Sequence, residues 1–148
     1  MKIRNVMTAA ALVLATTLPT SAADHEVKML NTGTDGEKMV FEPELLEIAV
    51  GDTVTFVPTD KGHNAEVIQG MFPEGGNEFK GKINEQFSVT FDVAGAYGYK
   101  CLPHFGMGMV GLIVVGDDPA NLADITEATG PAKATAKFDE LAAAVGQQ

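Results

Sequence analysis

The chain has one cysteine in 148 residues and ten basic side chains against twenty acidic ones. A single thiol excludes an internal disulfide, so its presence needs another reason. The formal charge of −10 argues against nucleic acid or an anionic membrane as partner. Long apolar runs are scarce too: beyond residue 23 no segment is long and apolar enough to span a bilayer. No glycine cluster has the strand-to-helix context of a phosphate-binding loop, and no nucleophile triad stands out.

Residues 1–23 read as an export signal. Lys2 and Arg4 give the positive start, Val6 to Leu18 is largely apolar and uncharged, and Ser21, Ala22 and Ala23 are small residues suited to cleavage. The remaining chain would begin at Asp24 and contain 125 residues, enough for one compact domain with a real core. It keeps eight lysines and no arginine, for a net charge near −12. Export implies an oxidising compartment, which sharpens the question of why one cysteine is there.

Short strands separated by turn residues follow. Glu26 to Leu30 alternates and is closed by the turn-rich Asn31 to Gly36; Met39, Val40 and Phe41 precede Pro43. Leu45 to Val50 and Thr53 to Val57 flank Gly51 and Asp52, Ala65 to Ile68 is a further short run, and Phe87 to Phe91 alternates with both phenylalanines on one face. Gly95 to Lys100 and Val110 to Val115 complete the set. The spacing predicts an all-β antiparallel Greek-key sandwich over residues 24–118, with loops gathered at its ends. From Pro119 the composition becomes alanine-rich. Here we expect two helices, residues 119–128 and 132–145, as an extension (119–148) packed on the sandwich. Asp117 or Asp118 would cap the first, Gly130-Pro131 would stop it, and Phe138, Leu141, Ala142 and Val145 would form the buried stripe of the second.

The chemistry concentrates between the last two strands. Within nine positions stand Cys101, His104, Met107 and Met109, set among prolines and glycines. Taken singly, a cysteine is ordinarily a small buried hydrophobe, a histidine a satisfied polar group and a methionine core filling. Together they form a soft donor set, and two imidazoles, a thiolate and a weak thioether make the blue-copper electron-transfer pattern. A second imidazole must come from His63 or His25. His63 suits better, because it follows an apolar strand pattern and a turn-forming Gly62, whereas His25 lies beside the expected N-terminus.

The run Cys101-Leu-Pro-His-Phe-Gly-Met-Gly-Met-Val-Gly111, with Pro58-Thr-Asp-Lys-Gly-His-Asn64 upstream, resembles the cupredoxins, the type 1 blue copper proteins. The resemblance extends to Phe-Glu-Pro at 41–43, to Val-Gly-Asp-Thr-Val-Thr-Phe at 50–56 and to the C-terminal helical extension. It implies one type 1 copper ion held by His63, Cys101, His104 and Met109. Met107 stands at the shorter spacing found in amicyanin, while Met109 gives the four-residue gap of plastocyanin; Met109 is preferred because it directly precedes a strand that can anchor it. By the same resemblance Asn64 ties the two ligand loops together, and Pro103, which has no backbone N–H, shapes the site beside His104.

The family resemblance also implies a role. Four protein ligands leave no open coordination position, so the expected function is that of a soluble periplasmic electron carrier rather than an enzyme. Pro103, Phe105, Gly106 and Met107 would surround the His104 ring edge as a small apolar docking patch. Lys61, Lys80, Lys82 and Lys100 would flank it and steer the carrier to an acidic face on a partner. The resemblance further implies, as partners of this chain, periplasmic redox proteins of denitrification, usually nitrite reductase, with cytochrome c as another, met transiently by a monomer. A protein that delivers or buffers copper is the alternative function. It would favour a cluster of exposed methionines, which Met71, Met107 and Met109 do not make. The type 1 domain of a multicopper enzyme is excluded by length, since no second metal site is encoded.

Overall fold

The computed structural model describes residues 21–148; the expected export signal lies almost wholly outside them. Eight strands form two four-stranded sheets. The first is ordered β2 (Lys38–Glu42), β1 (Asp24–Thr32), β4 (Thr53–Val57), β6 (Phe87–Thr90), and the second β3 (Leu45–Ile48), β8 (Val110–Val115), β7 (Gly95–Lys100), β5 (Glu66–Val67). The β1–β4 and β3–β8 pairs run parallel, and the remaining pairs are antiparallel. The expected two-sheet sandwich is present, but two of its six strand pairs run parallel where antiparallel pairing was expected.

Alternation along each strand decides what fills the space between the sheets. Val27 and Met29 of β1, Val54 and Phe56 of β4, Tyr97 and Tyr99 of β7, and Ile113 and Val115 of β8 all point inward and are fully buried. Aromatic rings dominate this core: Phe56 stacks on Phe79 and Phe87 with centroids 5.4 and 5.1 Å away, and meets the edge of Tyr99 at 5.3 Å. Each such ring removed from water is worth about 2–3 kcal/mol, and the interlocked set holds the sheets in one register.

β8 reads as an unbroken apolar run because both its faces are covered. Val110, Leu112 and Val114 face away from the sandwich core and pack with Ile125, Ala134, Phe138 and Leu141 of two helices, α1 (Leu122–Glu127) and α2 (Ala132–Ala144). The helices therefore make a third layer. Lys137 fastens α2 further, reaching Glu37 at 3.0 Å and Glu44 at 3.2 Å.

The start of α1 differs from the expectation. It begins at Leu122 with Asn121 in the capping position, and neither Asp117 nor Asp118 caps it. Asn121 does not cap through its side chain either. Its amide accepts the Ala96 N–H at 2.7 Å and donates to the Ala96 carbonyl at 2.9 Å, pinning the chain to β7 before the helix starts. Pro119 belongs to the preceding turn, where its carbonyl accepts the Leu122 N–H.

Candidate metal centre

One strand of the second sheet and two segments that connect to it converge at one end of the sandwich. β7 delivers Cys101, a 3-10 turn over Leu102–Met107 carries His104, and the loop before β5 carries His63. Pro103 sits in the first turn of the 3-10 segment, where a missing N–H costs nothing. Gly108 ends the turn at φ 91°, a left-handed conformation that glycine adopts without strain, and this reversal brings Met109 back beside Cys101. The Cys101 N–H then donates to the Met109 carbonyl at 3.0 Å, and the Met109 N–H to the His104 carbonyl at 3.2 Å.

His63, Cys101 and His104 face one another. His63 Nδ1 lies 3.6 Å from Cys101 Sγ and 3.1 Å from His104 Nδ1, and His104 Nδ1 lies 3.4 Å from the same sulfur. A point equidistant from all three atoms is about 2.0 Å from each, the length of a bond from a transition metal to imidazole nitrogen and a little short of one to thiolate sulfur. Three lone pairs directed at one point are satisfied together by one soft cation. The donors fit copper.

The surroundings prepare this arrangement. His63 Nε2 is 2.8 Å from Asn31 Oδ1, so the ring proton belongs on Nε2 and the Nδ1 lone pair is left for the metal. Burial, followed by the neighbouring His104, holds His63 below the ordinary imidazole range. Burial likewise pushes the Cys101 thiol above its usual range. Without a cation the sulfur keeps its proton; a soft metal takes the proton's place.

Asn64 is buried and fully used. Its Oδ1 accepts the Leu102 N–H at 2.7 Å, and its Nδ2 donates to the Gly81 carbonyl and to Glu66 Oε2, each at 3.1 Å. The Met109 side chain is fully buried in the core cluster that contains Cys101, whereas Met107 is 51% exposed. His25 is elsewhere, with Nε2 2.8 Å from Asp52 Oδ2. Among the described residues His63, Cys101 and His104 are the one group of this kind that could hold a metal ion.

Around the half-buried His104 ring the surface is apolar: Leu102 and Met107 are each 51% exposed, with Pro103 exposed and Phe105 partly so. Lys61, Lys80 and Lys82 are exposed, but Lys100 is only partly so. Its ammonium lies 3.6 Å from Glu66 and 4.8 Å from the Phe105 ring centre. Sequence reasoning passed over Leu102, Asn31 and Glu66. Leu102 was visible as a large apolar residue next to the cysteine; the other two act across strand pairings that no local pattern announces.

Two facing sheets with histidine, cysteine and histidine converging at one end define a class of protein, the cupredoxins. Comparison with known proteins agrees: the family of copper-binding proteins of the plastocyanin/azurin type matches residues 27–116. A pseudoazurin of Paracoccus pantotrophus is 53% identical over 90% of this chain and 92% of its own length. That of Methylorubrum extorquens is 51% identical over 76% of this chain and 75% of its own. The crystal structure of native pseudoazurin from Hyphomicrobium denitrificans superposes with a TM-score of 0.78 at 42% identity, covering 82% of this chain and 98% of that one. The chain belongs to the plastocyanin/azurin family and, within it, to the pseudoazurins. It is a blue copper electron carrier and not an enzyme, with copper as its cofactor and redox proteins as its partners.

Proposed function

We propose that the chain is an exported carrier that holds one type 1 copper ion on His63, Cys101, His104 and Met109 and exchanges electrons through the exposed edge of His104. The observation that carries this reading is the convergence of three buried or half-buried donors on one point, with only the His104 side open to solvent. Copper bound there supplies a one-electron couple between +2 and +1. The residues supply a geometry acceptable to both states: His63 is fixed by Asn31, Cys101 by its bond to Met109, and the ligand loop by Asn64. Because these contacts are made between protein groups and do not depend on the charge of the ion, little has to move when the electron does.

Residues 1–23 act as the export signal in this reading, residues 24–118 as the copper-holding sandwich and residues 119–148 as its helical extension. The compartment is the periplasm. No helix among the described residues is long and apolar enough to cross a membrane. The acceptor is a denitrification enzyme such as nitrite reductase, with cytochrome c as a further partner, and a monomer docks transiently. Leu102, Pro103, Phe105 and Met107 form the contact patch around His104, and Lys61, Lys80 and Lys82 provide the steering charge. Visible and electron paramagnetic resonance spectra of the exported protein with Cu(II), before and after ascorbate, test the assignment. An intense thiolate band that bleaches on reduction and returns in air is expected. A colourless protein that passes Cu(I) to an acceptor would instead indicate copper delivery.

A further inference from the structure

Glu66 is a carboxylate, 7% exposed, to which the electron-carrying site assigns no task. It stands in β5 directly across from Lys100 of β7, and an isolated bridge places Lys80 across from it on the other side. Residues directly opposite in antiparallel pairs project on the same face. A single buried acid is thus set between two of the lysines expected to serve docking.

Its two oxygens have different work. Oε2 accepts a proton of the Asn64 amide at 3.1 Å, beside the Gly81 carbonyl that accepts the other. Two acceptors on one side of the amide leave only one orientation, with Nδ2 toward them and Oδ1 toward the Leu102 N–H. Oε1 lies 3.6 Å from the Lys100 ammonium, which it holds near the face of Phe105. Both arms therefore end on the ligand loop, one residue before Cys101 and one after it.

We propose that Glu66 is a positioning residue of the copper site: it orients Asn64 against the ligand loop and, by neutralising Lys100, sets the electrostatic field at Cys101. Lys100 is then an internal clamp rather than a free steering charge. The inference rests on the ligand assignment proposed above.

Three variants separate the two arms. Glu66→Gln keeps an acceptor for Asn64 and removes the charge; Glu66→Ala removes both; Lys100→Gln leaves the acid uncompensated. At the applied potential where the parent is half reduced, Glu66→Gln should shift the reduced-to-oxidised ratio severalfold toward reduced copper, because an unpaired ammonium disfavours the more positive ion. Lys100→Gln should shift it the opposite way, and the double variant should lie close to the parent. In metal-free protein, hydrogen exchange at the Leu102 amide should accelerate in Glu66→Ala and stay slow in Glu66→Gln. Ratios unchanged in both single-charge variants would overturn the electrostatic arm, and unchanged Leu102 exchange in Glu66→Ala the orienting arm. Should Glu66→Ala fail to fold, exchange in Asn64→Ala protein tests the orienting arm, and parent-like protection of Leu102 would overturn it. A parent protein without the thiolate band would overturn the ligand assignment and this proposal with it; a blue parent isolates the test to Glu66.

Discussion

Asn64 Oδ1 accepts the Leu102 N–H at 2.7 Å, joining the loop that carries His63 to the loop that carries Cys101. The two residues are 38 positions apart, so the bond ties segments that the chain itself does not hold together. Replacing Asn64 by Ala leaves a partly buried N–H without its partner, a loss of about 1–3 kcal/mol. Asn64→Asp should cost at least as much, because a second carboxylate would face Glu66 and the Gly81 carbonyl would lose its donor. Denaturant unfolding of the metal-free variants measures the loss, and a displaced thiolate band in the copper forms reports the loosened loop. A variant as stable as the parent and spectrally identical to it would deny the tie.

Met109 and Met107 divide by burial. Met109 is fully buried among core residues next to Cys101 and is bonded through its backbone to Cys101 and His104, while half of Met107 faces solvent. Met109→Ala should therefore change the copper spectrum and also destabilise the metal-free fold by about 2–5 kcal/mol through the cavity it leaves. Met107→Ala should leave spectrum and stability near those of the parent and slow electron exchange with a partner protein. The reverse ranking of the two spectra would move the axial ligand to Met107.

Much of this centre is legible in sequence because its parts are local. Cys101, His104 and both methionines lie within nine positions, and proline and glycine mark the loop between two strands. The strands themselves follow from alternation, and the unbroken apolar run at Val110 to Val115 already requires cover on both faces. What sequence conceals is long-range pairing. Asn31 reads as the opening of a turn, yet it meets His63 because β1 and β4 lie side by side in parallel. Glu66 reads as one acid among many until the β5–β7 register sets it against Lys100. Asn121 has the composition of a loop residue, but its amide satisfies both backbone groups of Ala96, which is why α1 starts later than its composition suggests.

The lysines near the centre are not equivalent. Lys61 and Lys82 are exposed, whereas the Lys100 charge is matched by Glu66. Charge reversal at Lys61 and Lys82 together should lower the second-order rate of electron transfer to an acidic redox partner at low ionic strength and flatten its dependence on salt. The reduction potential should change little. Stopped-flow rates over a range of salt concentrations check this, and a rate and salt slope equal to the parent's would exclude steering by these residues.

Asp52 anchors the opposite end of the first sheet and makes stability depend on pH. Its carboxylate accepts the Ala23 N–H at 2.8 Å and the Ala49 N–H at 3.1 Å, and faces His25 Nε2 at 2.8 Å. Hydrogen bonding from Ala23 and then from His25 and Ala49 outweighs burial and holds the carboxyl below the ordinary range. A depressed folded-state value means that the carboxylate stabilises the fold at all pH values above its unfolded value, near 3.8, and that this contribution is lost as pH falls through the folded value. Asp52→Asn should accordingly be less stable than the parent by about 1.5–3 kcal/mol at neutral pH. The gap should narrow progressively below pH about 4, because the parent alone has this proton to take up. Unfolding curves at several pH values decide it: a gap that stays constant into the acid range would remove Asp52 as the titrating group. The intact mass of the purified chain belongs with the measurement, since processing after Ala23 would take away the first donor and leave His25 and Ala49 to carry a smaller effect, while a chain that retains Ala23 keeps all three.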